Sequence, residues 1–160
     1  MSTTHDELAG VVDLFGALRR AELTAALDEL AFKRGQDVDE SALRSTVEAA
    51  IESYALVVYE PAAGDTDEPL VAVGPTAFPT LPPNAEDLPH ILDDERREVD
   101  RDRLAEQVTR RLRREAEAAV DAGDTERAAE LLDVSYDLEA WASVDAGAVR
   151  AVLDPVLPQD

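Results

Sequence analysis

The chain has no cysteine, a single lysine, two isoleucines and three phenylalanines in 160 residues. The missing cysteine excludes disulfide frameworks, thiolate metal centres and cysteine nucleophiles. Long apolar runs are missing as well. None approaches the roughly 18 residues that span a bilayer, and Met1–Asp6 has no basic segment leading into a hydrophobic stretch. A cytoplasmic location, away from any membrane, is therefore expected. No glycine-rich phosphate loop follows a strand, and neither a Gly-x-Ser-x-Gly elbow nor a Ser/His/Asp grouping occurs in a recognisable context. An enzyme is thus disfavoured, and no catalytic residue, cofactor-binding residue or cofactor is assigned.

What is present is acid. Thirty-six carboxylates stand against 15 basic residues, a formal net charge of -21, and 14 of those bases are arginine, with Lys33 the exception. The apolar residues are biased in parallel, with 27 alanines supplying a core of small side chains. The two biases share a physical cause in concentrated salt. At about 1 M salt the Debye length falls to roughly 3 Å, so repulsion between surface carboxylates is screened. High salt also strengthens hydrophobic association, so a core of small residues suffices. In dilute buffer the same charge opposes a compact state. The composition points to a halophilic cell, and it removes carboxylate pairs as a catalytic signal, because so many carboxylates fall near one another by chance.

Length allows one ordinary domain or two small ones. Thr3 or Thr4 can cap a first helix with Leu8, Val11, Val12 and Phe15 at helical spacing, weakened at Gly16. Leu23, Ala26, Leu27, Leu30 and Ala31 form a second stripe that stops at Gly35. Asp39 opens a third, with Leu43, Val47, Ala50 and Ile51 on one face. The period then changes: Tyr54-Ala-Leu-Val-Val-Tyr59 and Leu70-Val-Ala-Val73 read as a β-hairpin with a long acidic tip. Three helices followed by a hairpin is the element order of a winged helix-turn-helix.

From Gly74 to His90 five prolines forbid regular structure. Phe78, Leu81, Leu88 and Ile91 imply that this strap packs along a surface. A stripe from Val99 through Leu104, Val108, Leu112, Ala116 and Val120 predicts a long helix beginning near Asp94 and ending at Gly123-Asp124. Asp124 or Thr125 caps an antiparallel partner carrying Ala128, Leu131, Leu132, Ser135, Leu138 and Trp141. Val144, Val149, Val152 and Leu153 suggest a last short helix before Pro155. The turn between the long helices has the look of a tetratricopeptide hairpin, but no second copy follows at that period. The expected fold is mainly α: a winged-helix-like head over 1–74, a Pro-rich strap over 75–93 and a C-terminal antiparallel helical hairpin over 94–157.

One histidine-centred cluster, Glu86-Asp-Leu-Pro-His90-Ile-Leu-Asp93-Asp94, offers nitrogen and oxygen donors for a cation. Its simpler reading is a solvated acidic loop, and no metal ligand is assigned. His5 is remote from it, in a terminus expected to be mobile. Nucleic-acid binding requires a positive face and base-reading side chains. The candidate recognition helix, Glu40–Ser53, offers only Arg44 against Glu40, Glu48 and Glu52, and no base occurs between Tyr54 and Asp94. Bases concentrate instead in the long helix, where eight arginines face six acids between Glu95 and Glu115. Arg110, Arg111, Arg113 and Arg114 are the candidate binding stripe for an acidic partner or nucleic acid. The competing reading is a solvated face of i, i+4 pairs, with Arg110 and Arg114 flanking Glu106 and Glu115.

Three segments, Asp6-Glu-Leu-Ala-Gly-Val-Val-Asp-Leu-Phe-Gly-Ala-Leu18, Glu29-Leu-Ala-Phe32 and Phe78-Pro-Thr-Leu-Pro-Pro-Asn-Ala-Glu-Asp-Leu-Pro89, carry a resemblance to a family of small acidic haloarchaeal proteins of unknown function. The resemblance extends over nearly the whole chain and implies the saline setting without any site residue. The expected role is a non-enzymatic macromolecular interaction protein with a protein partner, and a homodimer is possible. Its rivals are a winged-helix DNA-binding regulator and a metal-dependent enzyme.

Overall fold

The structure, a computed structural model, describes residues 4–35, 37, 39–62, 68–82, 85, 88 and 96–157. The chain forms two compact units, Met1–Val99 and Asp100–Asp160.

The N-terminal unit opens with α1, His5–Phe15, whose first turn is closed by a capping box. The Glu7 N–H donates to Thr4 Oγ1 and the Thr4 N–H donates to Glu7 Oε1, both at 3.1 Å, satisfying two donors that a helix start leaves open. His5 is the first residue of this helix, with Nδ1 3.2 Å from Ser53 Oγ, and not part of a loose terminus. A two-residue strand β1, Ala17–Leu18, follows, then α2, Arg20–Lys33, and α3, Glu40–Glu52. The hairpin strands are β2, Leu56–Tyr59, and β3, Leu70–Val73. Sequence pattern missed β1 because two residues show no period. It pairs antiparallel with β3 (Ala17 with Ala72, Leu18 with Val71), completing a sheet of order β1-β3-β2. The residues of the hairpin tip at 63–67 lie outside the described residues.

The core of this unit is the set of stripes expected from periodicity: Leu8, Val11, Val12 and Phe15 of α1, Leu23 and Leu27 of α2, Val47 and Ala50 of α3, and Leu56 and Val71 of the sheet. Between α3 and β2 the chain turns at Tyr54, which has φ 66° although it is not glycine. An L-residue there costs about 1–2 kcal/mol, and full burial of the Tyr54 ring offsets it.

The strap joins the same core at Ala85 and Leu88, both fully buried. Phe78 and Leu81 are not anchors, being 80% and 49% exposed; the segment is held by its backbone instead. The N–H groups of Phe78 and Thr80 donate to Asp6 Oδ1 and the Asp6 carbonyl, each at 3.0 Å. Gly10 faces the strap so closely that a Cβ there would lie 2.1 Å from the Thr80 carbonyl oxygen. Ile91 lies outside the described residues.

Further along, Arg96 and Arg97 return to the end of α1. Arg96 Nη1 donates to the carbonyls of Asp13 and Leu14, and the Arg97 N–H donates to that of Phe15 at 2.7 Å. These are the orphan acceptors of a helix C-terminus, here satisfied by residues more than 80 positions away.

The C-terminal unit contains α4, Arg101–Ala122, α5, Thr125–Trp141, and α6, Gly147–Leu153, which runs into a short 3-10 turn at Asp154–Val156. The long helix starts later than its stripe suggests. Asp100 caps it through Arg103 N–H at 3.1 Å, and Val99 precedes it. Its end is as expected: Gly123 takes φ 64°, a left-handed conformation that suits glycine, and Asp124 caps α5. Leu104, Val108, Leu112 and Ala116 of α4 pack with Ala128, Leu131, Ser135 and Leu138 of α5 and with Val149 and Leu153 of α6. Arg150 of α6 holds Glu139 of α5 through two bonds of 3.1 and 3.0 Å and lies 4.5 Å over the Tyr136 ring. Arg101 covers the Trp141 ring at 5.0 Å.

Candidate interaction site

The four arginines expected to form one stripe divide into two kinds. Arg111 is only 16% exposed and is committed to structure. Its Nε bonds Glu115 Oε2 at 2.7 Å, while Glu115 Oε1 takes Arg127 of α5 at 2.9 Å. Arg113 pairs along the helix with Glu117 at 3.2 Å. Arg110 and Arg114 are exposed, one turn apart, and make no ion pair with any described residue. The expected pairing of Arg110 and Arg114 with Glu106 and Glu115 is therefore not formed: Glu115 is already shared between Arg111 and Arg127. Arg110 and Arg114 lie on the face of α4 opposite the buried Leu104, Val108 and Leu112, because residues spaced by three or four share a helix face.

Arg44 stands on the outward face of α3, but Glu40 neutralises it at 2.8 Å. Glu48 on the same helix pairs with Arg20 of α2 at 2.6 Å. The α3 surface thus presents no unpaired guanidinium, and Glu52 adds further negative charge. Between α2 and α3 lies a groove of about 680 Å³ that sequence reading did not anticipate. Ala21, Ala25, Leu43 and Val47 line its apolar part, and the Arg20–Glu48 and Arg44–Glu40 pairs contribute to its polar lining. Ala21 and Ala25 belong to the alanine-rich side of α2 that faces away from Leu23 and Leu27, so their spacing was the available signal.

Two carboxylates have strongly engaged environments, and both serve packing. Burial raises the Glu22 pKa, but hydrogen bonds from Arg97 and from the Arg19 backbone and side chain outweigh it, so it falls to about 2. Arg97 grips Glu22 at 2.6 and 3.0 Å. Hydrogen bonds from Arg150 and from the Ala146 N–H hold the Glu139 carboxyl below the usual range. Burial, aided by the charge of Asp133, pushes the Asp137 carboxyl up. Among the described residues no group of three or more His, Asp or Glu is arranged to hold a metal ion, and no helix is long and apolar enough to cross a membrane. The His90 cluster lies outside the described residues.

These features define a mainly helical protein of two compact units, one of them carrying a small antiparallel sheet. The chain belongs to the family of unknown function DUF7109, whose family model matches residues 6–158. No curated protein and no solved structure matches it.

Proposed function

We propose that this chain is a non-enzymatic interaction protein of a salt-rich cytoplasm, and that the exposed face of α4 contacts an acidic protein partner. The observation that carries this reading is the contrast within one helix: Arg111 and Arg113 are neutralised internally, whereas Arg110 and Arg114 remain exposed and without an ion pair to any described residue. In a chain of net charge -21, two exposed cations one turn apart form a local exception that a carboxylate surface can engage bidentately. The single lysine and the excess of acid support the saline setting, where screening confines electrostatics to direct contacts. The test is affinity capture at molar potassium chloride with wild type and an Arg110→Glu/Arg114→Glu variant. A specific protein retained by the first and lost by the second is expected; identical retention would end the proposal.

A second reading has its own observation. The order helix, strand, helix, helix, hairpin, with β3 central in the sheet, supports a winged helix-turn-helix, in which α3 would enter the major groove. Against it, Met1–Val99 carries twenty-one carboxylates and seven basic side chains, and Arg44 is paired. Retention on mixed genomic DNA in molar salt that disappears with Arg44→Ala would favour this reading over the first. The metal-dependent enzyme stands as a third proposal, tested by elemental analysis for metal bound at His90.

A further inference from the structure

The most unusual surface of the N-terminal unit is neither acidic nor basic. Between Glu68 and Glu86 the sequence runs seventeen residues without a charge, the longest such stretch in the chain. Within it Phe78 is 80% exposed and Leu81 is 49% exposed. An exposed aromatic on a floppy loop would need no explanation, but this backbone is fastened. Asp6 accepts from Phe78 and Thr80, Thr80 Oγ1 donates to the Phe78 carbonyl at 3.1 Å, and Gly10 is placed in mid-helix where the strap approaches most closely. Glycine in a helix interior weakens that helix relative to alanine. The fold therefore fastens this part of the strap by its backbone while turning Phe78 and Leu81 outward, the arrangement of an aromatic anchor at an interface.

The same unit contains a receptacle. The groove between α2 and α3 encloses about 680 Å³, with Ala21, Ala25, Leu43 and Val47 on its apolar lining. That is ample for a phenylalanine and a leucine side chain. Its polar lining is largely self-neutralised, Arg20 with Glu48 and Arg44 with Glu40, leaving Asp28. A lining whose charges are already paired offers a charged segment little, so an uncharged apolar protrusion is the part of another copy that suits it. We propose that Phe78 and Leu81 of one copy seat in the α2–α3 groove of a second copy, so that Met1–Val99 is a self-association module. This is independent of the α4 surface proposed for an acidic partner.

Because both copies carry strong negative charge, association tightens as salt screens them. The experiment is sedimentation equilibrium of the full chain in molar potassium chloride, repeated in dilute buffer on any sample that remains folded. Wild type is expected to rise from the 17.3 kDa monomer toward twice that mass with concentration. Phe78→Ser, which removes the knob, and Ala25→Glu, which fills the groove with a charge, should each weaken association at least tenfold. Both positions are exposed, so unchanged circular dichroism is expected for each. Phe78→Leu, which keeps an apolar knob, should associate nearly as wild type. An equimolar mixture of Phe78→Ser and Ala25→Glu retains one intact knob and one intact groove, and should associate more strongly than either alone. The Arg110→Glu/Arg114→Glu variant should associate as wild type, which separates this proposal from the α4 reading. A wild type that stays monomeric up to about 1 mM overturns the proposal. So does undiminished association of either single variant, a mixture no stronger than its components, or loss of association in the α4 variant.

Discussion

The stability gap between wild type and Glu22→Gln should shrink by about 2 kcal/mol between pH 7 and pH 3. Glu22 is 17% exposed and bonded to Arg97 at 2.6 and 3.0 Å. Burial works against its charged form, but the hydrogen bonds from Arg97 and Arg19 prevail and take its pKa from 4.5 to about 2. A folded pKa below the unfolded one means that the unfolded chain takes up the proton first. The stabilisation is therefore complete above pH 4.5 and is lost as pH falls through about 2. At about 1.4 kcal/mol per pKa unit the whole gap is worth roughly 3 kcal/mol. Linkage places about 2 kcal/mol of it between pH 7 and pH 3. Glutamine does not titrate, so the comparison isolates this one group from the other carboxylates. Molar salt does not erase the effect, because the contacts are no longer than the roughly 3 Å Debye length at that concentration. Urea unfolding of wild type and Glu22→Gln, each in a Tyr136→Phe/Trp141→Phe background so that Tyr54 and Tyr59 are the remaining tyrosines, reads at each pH the unit that contains Glu22. A gap that stays the same at pH 7 and pH 3 would refute the electrostatic account and leave Glu22 as a packing residue only.

Gly10→Ala, which in an ordinary helix interior would stabilise by about 1 kcal/mol, should instead destabilise by about 1–3 kcal/mol because its Cβ would collide with the Thr80 carbonyl; the urea midpoint decides the sign. Leu88→Ala should cost about 2–5 kcal/mol, since Leu88 is fully buried in the core of the N-terminal unit, and a cost under about 1 kcal/mol would show that the strap is dispensable. Transfer from molar potassium chloride to about 20 mM buffer, where the Debye length is roughly 20 Å, should abolish cooperative unfolding; an unchanged circular dichroism melt would remove the basis for a saline setting.

The helices were legible because burial repeats every three to four residues, and α1, α2, α3 and α5 begin or end close to where their caps and glycines place them. The strand β1 was not, since Ala17 and Leu18 acquire their conformation from pairing with Val71 and Ala72. The stripe of α4 ran past its true start because Val99 continues the apolar spacing, while Asp100 supplies the cap. The candidate site was half legible. Clustering of arginine was visible in order along the chain, but which guanidiniums are spent internally depends on Glu115 and on Arg127 from the neighbouring helix. Apolar character at Phe78 and Leu81 suggested burial, and their outward turn follows from Asp6 and Gly10, 68 to 75 positions away.

By itself the sequence determined the mainly helical class and the charge of -21, because periodicity and composition are properties of the chain read in order. Tertiary structure alone decided which cations stay exposed and unpaired, which apolar side chains face water, and that α2 and α3 leave a groove between them. Those outcomes depend on partners distant in sequence, and a contact between distant residues leaves no local pattern.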